Sequence, residues 1–149
     1  MIEKNKVESI VKEYIDGKSI FVVAIKVSSS NKITVLADTA KGITIDECVD
    51  LHRYIEEHLD REIEDYELQV SSPGLDAPFT VLEQYYKNEG KKVEVTDTDG
   101  QKYTGVLQNV TIGGFDLETE VKVKGVGKEK KLLSFNFEQI KTTRIVLFF

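Results

Sequence analysis

Apolar and polar residues follow two different periods over the first 70 residues, and these periods predict four of the elements there. Apolar residues recur every three or four positions from Val7 to Ile15, which indicates an amphipathic helix that ends at Asp16-Gly17. Residues 19–27 are strongly β-forming and residues 33–38 alternate, so a β-hairpin is expected after the helix. Residues 66–70 alternate again and predict a third strand.

A second helix is predicted between the hairpin and the third strand. Thr44 and Glu47 form a Thr-x-x-Glu capping box, in which each side chain accepts a hydrogen bond from the other residue's backbone N–H. The expected buried face of this helix comprises Cys48, Leu51, Ile55 and Leu59. His52 and His58 lie off that face and are expected in solvent. The order of elements predicts an N-terminal α-β-β-α-β sandwich, with the helices on one face of a three-stranded sheet.

The pattern changes at residues 88–90. A short helix is expected within residues 79–87, and beyond it the chain turns into a series of short strands. The expected strands cover residues 91–96, 101–107, 110–119, 121–126, 131–137 and 144–149. Short strands at close spacing favour a small closed barrel. The sequence therefore predicts an α+β protein with two domains, an α+β domain over residues 1–87 and an all-β domain over residues 88–149.

Composition is typical of a soluble globular protein. Apolar residues make up 40% of the chain and charged residues 31%. The longest apolar run, residues 20–25, is far shorter than the roughly 20 residues that span a bilayer, and the first residues do not resemble a signal peptide. We therefore expect a cytoplasmic protein without a membrane partner. The single cysteine, Cys48, excludes an internal disulfide and is expected in the core.

Negative charge is concentrated in the first half of the chain. Residues 1–88 hold 10 Lys and Arg against 17 Asp and Glu, whereas residues 89–149 hold 10 against 9. An acidic surface disfavours nucleic acid, whose phosphates need Lys and Arg, and it suits a basic protein partner better. The alternative is that the acidity only keeps the protein in solution. Seven of these carboxylates lie in residues 56–67 with only one arginine among them.

No catalytic arrangement is evident in the sequence. A serine nucleophile needs a base within hydrogen-bond reach. For Ser71 and Ser72 the available imidazoles are His52 and His58, on a helix face expected to point away from the sheet. The glycines at residues 113–127 lack the Lys-Ser/Thr or helix start of a phosphate-binding loop. We therefore expect no enzymatic activity, no metal and no cofactor.

Two features of the second half bear on RNA binding. Five lysines surround the glycines of residues 125–127, and they either contact rRNA phosphates or cover a solvated hairpin tip. These lysines are Lys122, Lys124, Lys128, Lys130 and Lys131. Exposed aromatic residues would stack on RNA bases, but Tyr103, Phe115, Phe135 and Phe137 are expected to form the barrel core instead.

The most distinctive segment follows the third strand. It reads Ser71-Ser72-Pro73-Gly74-Leu75-Asp76, with Pro78 two residues further on. Proline fixes φ and glycine admits positive φ, so the strand is stopped at a defined point and the loop is stiff. Stiff loops on a rigid scaffold often carry binding.

This loop resembles the signature of the bacterial RimP family of ribosome maturation factors. The similarity covers nearly the whole chain and includes the helix entry at residues 42–48 and the closing segments at residues 137–140 and 144–146. The chain departs from the usual family pattern at three positions, where the family usually has Ser, Glu and Arg. These positions are His52, Gln69 and Ala77.

The resemblance implies both an architecture and a function. It implies an SH3-like or Sm-like barrel for the second domain, and a monomeric factor that binds the immature small ribosomal subunit and assists its assembly without catalysis. The implied partner is a basic ribosomal protein, with rRNA as a further candidate. A general RNA-binding regulator that acts through the Sm-like barrel is the alternative. The loop and the acidic run should lie near one another and supply the partner-binding residues, which are Ser71, Ser72, Pro73, Gly74, Leu75, Asp76, Glu62, Glu64 and Asp65.

Overall fold

A computed structural model describes residues 1–75, 77–125 and 127–146, with the backbone alone for residues 121–123. The chain divides into two compact units, Met1–Pro73 and Gly74–Phe149, each with its own hydrophobic core. The protein is of mixed α+β class, with two sheets and three α-helices among the described residues. No helix in this part of the chain is long and apolar enough to cross a bilayer.

The first unit has the predicted order of elements. They are α1 (Lys4–Ile15), β1 (Ile20–Val27), β2 (Lys32–Thr39), α2 (Ile45–Glu57) and β3 (Glu67–Ser71). Strands β1 and β2 form the expected antiparallel hairpin. Strand β3 pairs in parallel with β2, from Lys32 opposite Glu67 to Leu36 opposite Ser71. A parallel pair needs a long crossover connection, and α2 supplies it.

Both helices and the sheet share one core. The side chains in its centre are fully buried and come from α1, α2 and β2: Val7, Val11, Leu51, Ile55, Ile33 and Val35. Two turns of α2 therefore contribute to the core at i, i+4 spacing, as its apolar periodicity predicts. Packing of this amphipathic face, rather than helix propensity, supplies most of the stability of such short helices.

Helix α2 begins with the predicted capping box. The Thr44 hydroxyl accepts a hydrogen bond from the Glu47 N–H at 3.1 Å, and the Glu47 carboxylate accepts one from the Thr44 N–H at 3.0 Å. Just before it, the buried Asp38 carboxylate accepts hydrogen bonds from the N–H groups of Thr39 and Ile43. These bonds satisfy backbone donors that would otherwise lack partners and fix where the helix starts.

The second unit contains a short helix and one antiparallel sheet. Its elements are α3 (Leu82–Lys87), β4 (Lys92–Asp97), β5 (Lys102–Gln108), β6 (Gly114–Val123), β7 (Gly127–Asn136) and β8 (Ile140–Ile145). The two strands expected at residues 110–119 and 121–126 are in fact one ten-residue strand, β6. The last strand starts at residue 140, four residues before the predicted start.

The sheet of the second unit is open in its hydrogen bonding. The strand order is β7-β6-β5-β4-β8, so β7 and β8 lie at opposite ends, and no ladder joins them among the described residues. The closed barrel expected from the strand spacing is therefore not formed by backbone pairing. Strand β5 pairs with β6 over only Val106–Gln108. Beyond that point β6 pairs with β7 alone.

Aromatic residues fill the core of the second unit. Phe115 is buried, and Tyr103, Phe135 and Phe137 are partly buried and pack against the same cluster. These four residues thus belong to the core, as the sequence predicts. The Tyr85 ring of α3 joins them, with its centroid 5.3 Å from that of Phe115 in a stacked arrangement.

Helix α3 belongs to the second unit and not to the first. The Tyr85 hydroxyl donates a hydrogen bond to the Thr143 hydroxyl at 2.9 Å, and both side chains are buried. The Phe79 N–H donates to the Thr143 carbonyl at 2.7 Å. The compact units accordingly divide after Pro73, whereas the sequence-based boundary lies between residues 87 and 88. The reason is that α3 buries its aromatic face against β8, a contact between residues 58 positions apart.

A carboxylate joins β6 to its neighbours in this unit. Asp116 accepts hydrogen bonds from the Ser134 hydroxyl at 2.7 Å and from the Asn109 amide at 2.9 Å. These hydrogen bonds, that of Ser134 first, lower the pKa of Asp116 below its ordinary value.

Candidate functional site

A groove lies between α2 and β3 in the first unit, beside the start of the signature loop. It has a volume of about 480 Å³, and Ser71 and Ser72 form part of its wall. The helix contributes Ile45, Cys48 and Val49 to the same groove. Ile45 is 81% exposed and Val49 is 45% exposed, so apolar side chains face solvent here. The structure thus places two of the predicted binding residues next to an apolar surface that the sequence did not reveal.

Cys48 lies in the wall of this groove and is only partly buried. The prediction that it is a core residue is therefore wrong, because the helix turns this position towards the gap between α2 and β3. Burial, followed by the nearby charges of Glu47 and Asp38, raises the pKa of the Cys48 thiol. A raised pKa disfavours the nucleophilic thiolate. No cluster of three or more His, Cys, Asp or Glu residues suited to a metal ion occurs in the described part of the chain.

His52 also lines the groove, which corrects the expectation that it faces solvent away from the sheet. Its Nε2 lies 3.1 Å from the carbonyl oxygen of Leu68 on β3, and its Nδ1 lies 2.8 Å from the Glu56 carboxylate. The spacing of residues along α2 already indicates this position of His52. Cys48, His52 and Glu56 are spaced by four residues, so they share one helix face. His58, in contrast, is exposed as expected.

The position of His52 bears on the question of catalysis. It is near Ser71 and Ser72, but both ring nitrogens are directed to other oxygen atoms, on Leu68 and Glu56. No hydrogen bond joins the imidazole to either serine hydroxyl among the described residues. Activation of a serine needs a base whose free nitrogen lone pair faces the hydroxyl. The arrangement therefore lacks the geometry of a serine nucleophile with its base.

The signature loop itself is exposed over much of its length. Ser72, Gly74 and Leu75 are exposed, and Pro73 is half-buried. The Ala77 N–H donates to the Gly74 carbonyl at 3.1 Å and closes a turn. Asp76 lies outside the described residues. The chain passes from the first unit to the second between Pro73 and Gly74, so this loop is the connection between the two units.

The acidic residues predicted to bind a partner lie in the turn before β3. Glu64 accepts a hydrogen bond from the Asn31 amide at 3.1 Å and forms an ion pair with the Met1 ammonium group at 2.6 Å. The hydrogen bond from the Met1 ammonium, followed by that from Asn31, lowers the pKa of Glu64. Asp65 accepts from the Tyr66 N–H at 2.9 Å and from Arg61 at 3.2 Å. Two of the three carboxylates thus hold the turn together.

Glu62 is exposed, and no ion pair is formed by it among the described residues. The acidic turn and the signature loop flank β3 at opposite ends, separated by its five residues. A strand of this length spans about 16 Å. The expectation that the two features lie near one another is therefore not met within the first unit.

The lysine-rich segment of the second unit forms a β-hairpin between β6 and β7. Lys128 lies 3.8 Å from the Glu120 carboxylate on the facing strand, and Lys130 lies 3.3 Å from that of Glu118. Lys124 and Lys131 are exposed. The hairpin predicted from sequence is confirmed, and two of its lysines have acidic neighbours that reduce the local positive charge.

Comparison with known proteins identifies the family. The model of the RimP N-terminal domain matches residues 9–76, a range that contains the groove and the start of the loop. The chain is 39% identical over 131 residues to the ribosome maturation factor RimP of Porphyromonas gingivalis, which covers 88% of this chain and 86% of that protein. It is 31% identical over 129 residues to the RimP protein of Christiangramia forsetii, with 86% and 80% of the two chains covered.

A third relative, the ribosome maturation factor RimP of Flavobacterium psychrophilum, is 28% identical over 138 residues, 91% of this chain and 89% of that protein. The class of protein is therefore a two-unit α+β chain related to ribosome maturation factors. The chain belongs to the RimP family. The resemblance drawn from the signature loop is confirmed.

Proposed function

We propose that this protein is a ribosome maturation factor that binds the immature small ribosomal subunit in the cytoplasm and assists its assembly. The observation that carries the proposal is the 39% identity to a protein named ribosome maturation factor RimP, over more than four fifths of both chains. The aligned length leaves little of either chain outside the match. The proposal therefore concerns the whole protein and not one shared domain.

The mechanism that we propose is binding without covalent chemistry. A factor that binds one conformation of the immature particle more tightly than the others shifts the population towards it. Two observations support this mechanism over catalysis. The His52 imidazole is directed to Leu68 and Glu56 and not to a serine, and the Cys48 thiol has a raised pKa.

The first unit is the part that we propose to meet a basic ribosomal protein. Residues 1–73 hold 9 Lys and Arg against 15 Asp and Glu, whereas residues 74–149 hold 11 of each, so the first unit carries the whole net charge of −6. Complementary charge speeds encounter and fixes orientation more than it adds affinity. The proposed contact residues are those of the signature loop, residues 71–76, and the exposed acids around Glu62.

An RNA contact through the second unit is the alternative function. The lysines of the β6–β7 hairpin favour it, since Lys124 and Lys131 are exposed. From the resemblance to the family we also propose that this unit is of the SH3-like or Sm-like type. In this alternative the protein is a general RNA-binding regulator, so the two proposals differ in the partner, which is either the immature small subunit or free RNA, and in the unit that carries the contact.

Charge reversal tests which unit makes the contact. Reversing Glu64 and Asp65 would break the turn that they hold, so the variant uses exposed acids that have no such contact. It carries Lys at Glu57, Glu62 and Glu67 of the first unit. A matched control with the same change of charge in the second unit carries Lys at Glu83, Asp99 and Glu138. Both variants keep the described hydrogen bonds of the fold.

We expect the wild-type protein to sediment with immature small subunits in a sucrose gradient. We expect the first-unit variant to associate roughly tenfold more slowly at low salt, and the control to behave like wild type. Wild-type association should also slow as salt concentration rises. A wild-type protein that never sediments with small subunits contradicts the proposed function. A control variant that associates as slowly as the first-unit variant contradicts the assignment to the first unit.

A further inference from the structure

We infer that the outer edge of β3 and the groove beside α2 bind an extended, basic protein segment by strand addition, and that His52 determines where the added strand ends. This inference rests on the proposed function for the class of partner, a basic protein, and adds the mode of its recognition.

The backbone of β3 has one edge without a neighbouring strand. The sheet order is β1-β2-β3, which leaves β3 at one end. The Glu67 N–H donates to the Asn31 carbonyl at 3.0 Å, so the odd-numbered residues of β3 direct their backbone groups towards β2. Successive residues of a strand alternate in this direction. The N–H and C=O groups of Leu68 and Val70 therefore point to the outer edge, and Ser72 is the first residue after the strand.

The Leu68 carbonyl gives independent evidence for this direction. It accepts a hydrogen bond from His52 Nε2 at 3.1 Å, so it points away from β2 and towards α2. The imidazole thus occupies one backbone acceptor of the edge. Beyond it, Val70 and Ser72 make no backbone hydrogen bond on the outer side among the described residues. An added strand can pair there, and it stops where His52 covers the edge.

The groove beside this edge provides places for side chains of the added segment. Val70 and Ser71 form one wall, and Ile45 and Val49 of α2 extend into solvent on the other. Peptides that add to a sheet edge gain affinity from main-chain hydrogen bonds and specificity from pockets for alternate side chains. Exposed apolar side chains next to an unpaired edge are also a hazard for aggregation unless a partner covers them.

Charge selects a basic protein segment as the occupant. The first unit carries the net charge of −6, and the described lining of the groove contains no lysine or arginine. This charge repels the phosphates of RNA. The edge offers backbone donors and acceptors in the spacing of a strand, which an extended polypeptide matches. A segment in which lysine or arginine residues alternate with apolar residues matches both the negative charge of the first unit and the apolar groove.

The first test uses a nine-residue peptide of alternating Lys and Val with blocked ends, added to the isotope-labelled full chain. We expect the amide NMR signals of Val70 and Ser72 to shift and their hydrogen exchange to slow. A peptide of alternating Glu and Val should bind at least tenfold more weakly. A Lys-Val peptide with N-methyl groups along one edge should also bind at least tenfold more weakly, because it cannot donate a hydrogen bond to the Val70 carbonyl.

The second test changes the protein. Val70→Pro removes the outward N–H without removing a hydrogen bond to β2, and proline is tolerated at such edge positions. We expect at least tenfold weaker binding of the Lys-Val peptide. Gln69→Thr, at an exposed neighbouring position outside the groove lining, keeps every backbone N–H and should bind like wild type. His52→Ala frees the Leu68 carbonyl, so binding should become about 2- to 10-fold tighter, the value of one backbone hydrogen bond.

Equal binding of the N-methylated peptide, or signal changes confined to other residues, would overturn strand addition. So would binding of a short single-stranded RNA at Val70 in preference to the peptide. If Val70→Pro fails to fold, the N-methylated peptide decides the same point from the ligand's side. Sedimentation with small subunits without peptide binding at β3 refutes this inference alone. Peptide binding without such sedimentation refutes the proposed function and leaves strand addition standing.

Discussion

Removing the segment before β4 should unfold the second unit. A fragment of residues 74–149 contains the whole compact unit, whereas a fragment of residues 88–149 follows the boundary predicted from sequence and lacks α3. We expect the longer fragment to fold and the shorter one to remain unfolded. The comparison depends on contacts within the second unit alone.

The expected loss of stability follows from the contacts of the missing segment. Tyr85 is 8% exposed, and Phe79 and Leu82 are partly buried against the same core. Burying such a side chain fully contributes about 1.5–3 kcal/mol, so three incompletely buried ones contribute about 5 kcal/mol together. The two hydrogen bonds to Thr143 add about 1 kcal/mol each. Small domains have total stabilities of about 5–15 kcal/mol, and those near 60 residues are marginal.

Urea unfolding followed by far-ultraviolet circular dichroism measures both fragments. Residues 74–149 should give a cooperative transition, and residues 88–149 should give none. Adding a peptide of residues 74–87 in trans, at high concentration, should restore part of the structure of the shorter fragment. The reasoning is refuted if the shorter fragment unfolds cooperatively with a stability within about 1 kcal/mol of the longer one.

Three further substitutions and one control substitution test the second unit, each measured by urea unfolding of the full chain. Tyr85→Phe should cost about 1–2 kcal/mol, because it leaves the buried Thr143 hydroxyl without its donor; an unchanged midpoint would contradict that bond. Gly114→Ala should cost about 2 kcal/mol, since a Cβ there meets a backbone oxygen of β7, while Gly113→Ala has open space and should be neutral. Two hydrogen bonds lower the pKa of the Asp116 carboxyl in the folded protein below its ordinary value of 3.8. Their contribution to stability is therefore present above pH 3.8 and is lost as the pH falls through the lower pKa of the folded state. Below pH 3.8 the free energy of unfolding of Asp116→Asn should therefore fall less steeply with pH than that of wild type. Parallel plots of this free energy against pH would refute the role given to the Asp116 hydrogen bonds.

Local signals in the sequence are sufficient for the order of helices and strands in the first unit. The capping box of Thr44 and Glu47 involves residues three positions apart, and the structure forms both of its hydrogen bonds. The hairpin of β1 and β2 likewise follows from neighbouring segments. In such cases the determining interactions lie within the window over which periodicity is read.

Errors arose where a distant contact decided the outcome. The change of pattern at residues 88–90 places Tyr85 in the first domain, but the Tyr85 hydroxyl donates a hydrogen bond to Thr143 of the last strand. The predictions that Cys48 lies in the core and His52 in solvent use only the apolar face of α2. Their surroundings depend on β3, whose position follows from its parallel pairing with β2 and cannot be deduced from α2.

The candidate site was predictable only in part. The identity of the loop at residues 71–76 followed from its proline and glycine, and the family resemblance that it suggested is confirmed. The apolar groove was not found, because Ile45 and Val49 read as ordinary helix residues. The acidic run is evident in the sequence. The contacts of Glu64 and Asp65 in the structure show which of its carboxylates hold the turn and which are only exposed.

The long hairpin of β6 and β7 determines where a protease should cleave the chain first. From Thr119 to Lys131 the two strands pair only with each other among the described residues, and a two-stranded ribbon is marginally stable by itself. This end can therefore separate without disturbing Phe115 and Leu117 in the core. Trypsin cuts after lysine, so limited digestion should first nick the ribbon. The two pieces should stay associated through the sheet, as one particle with a cut hairpin.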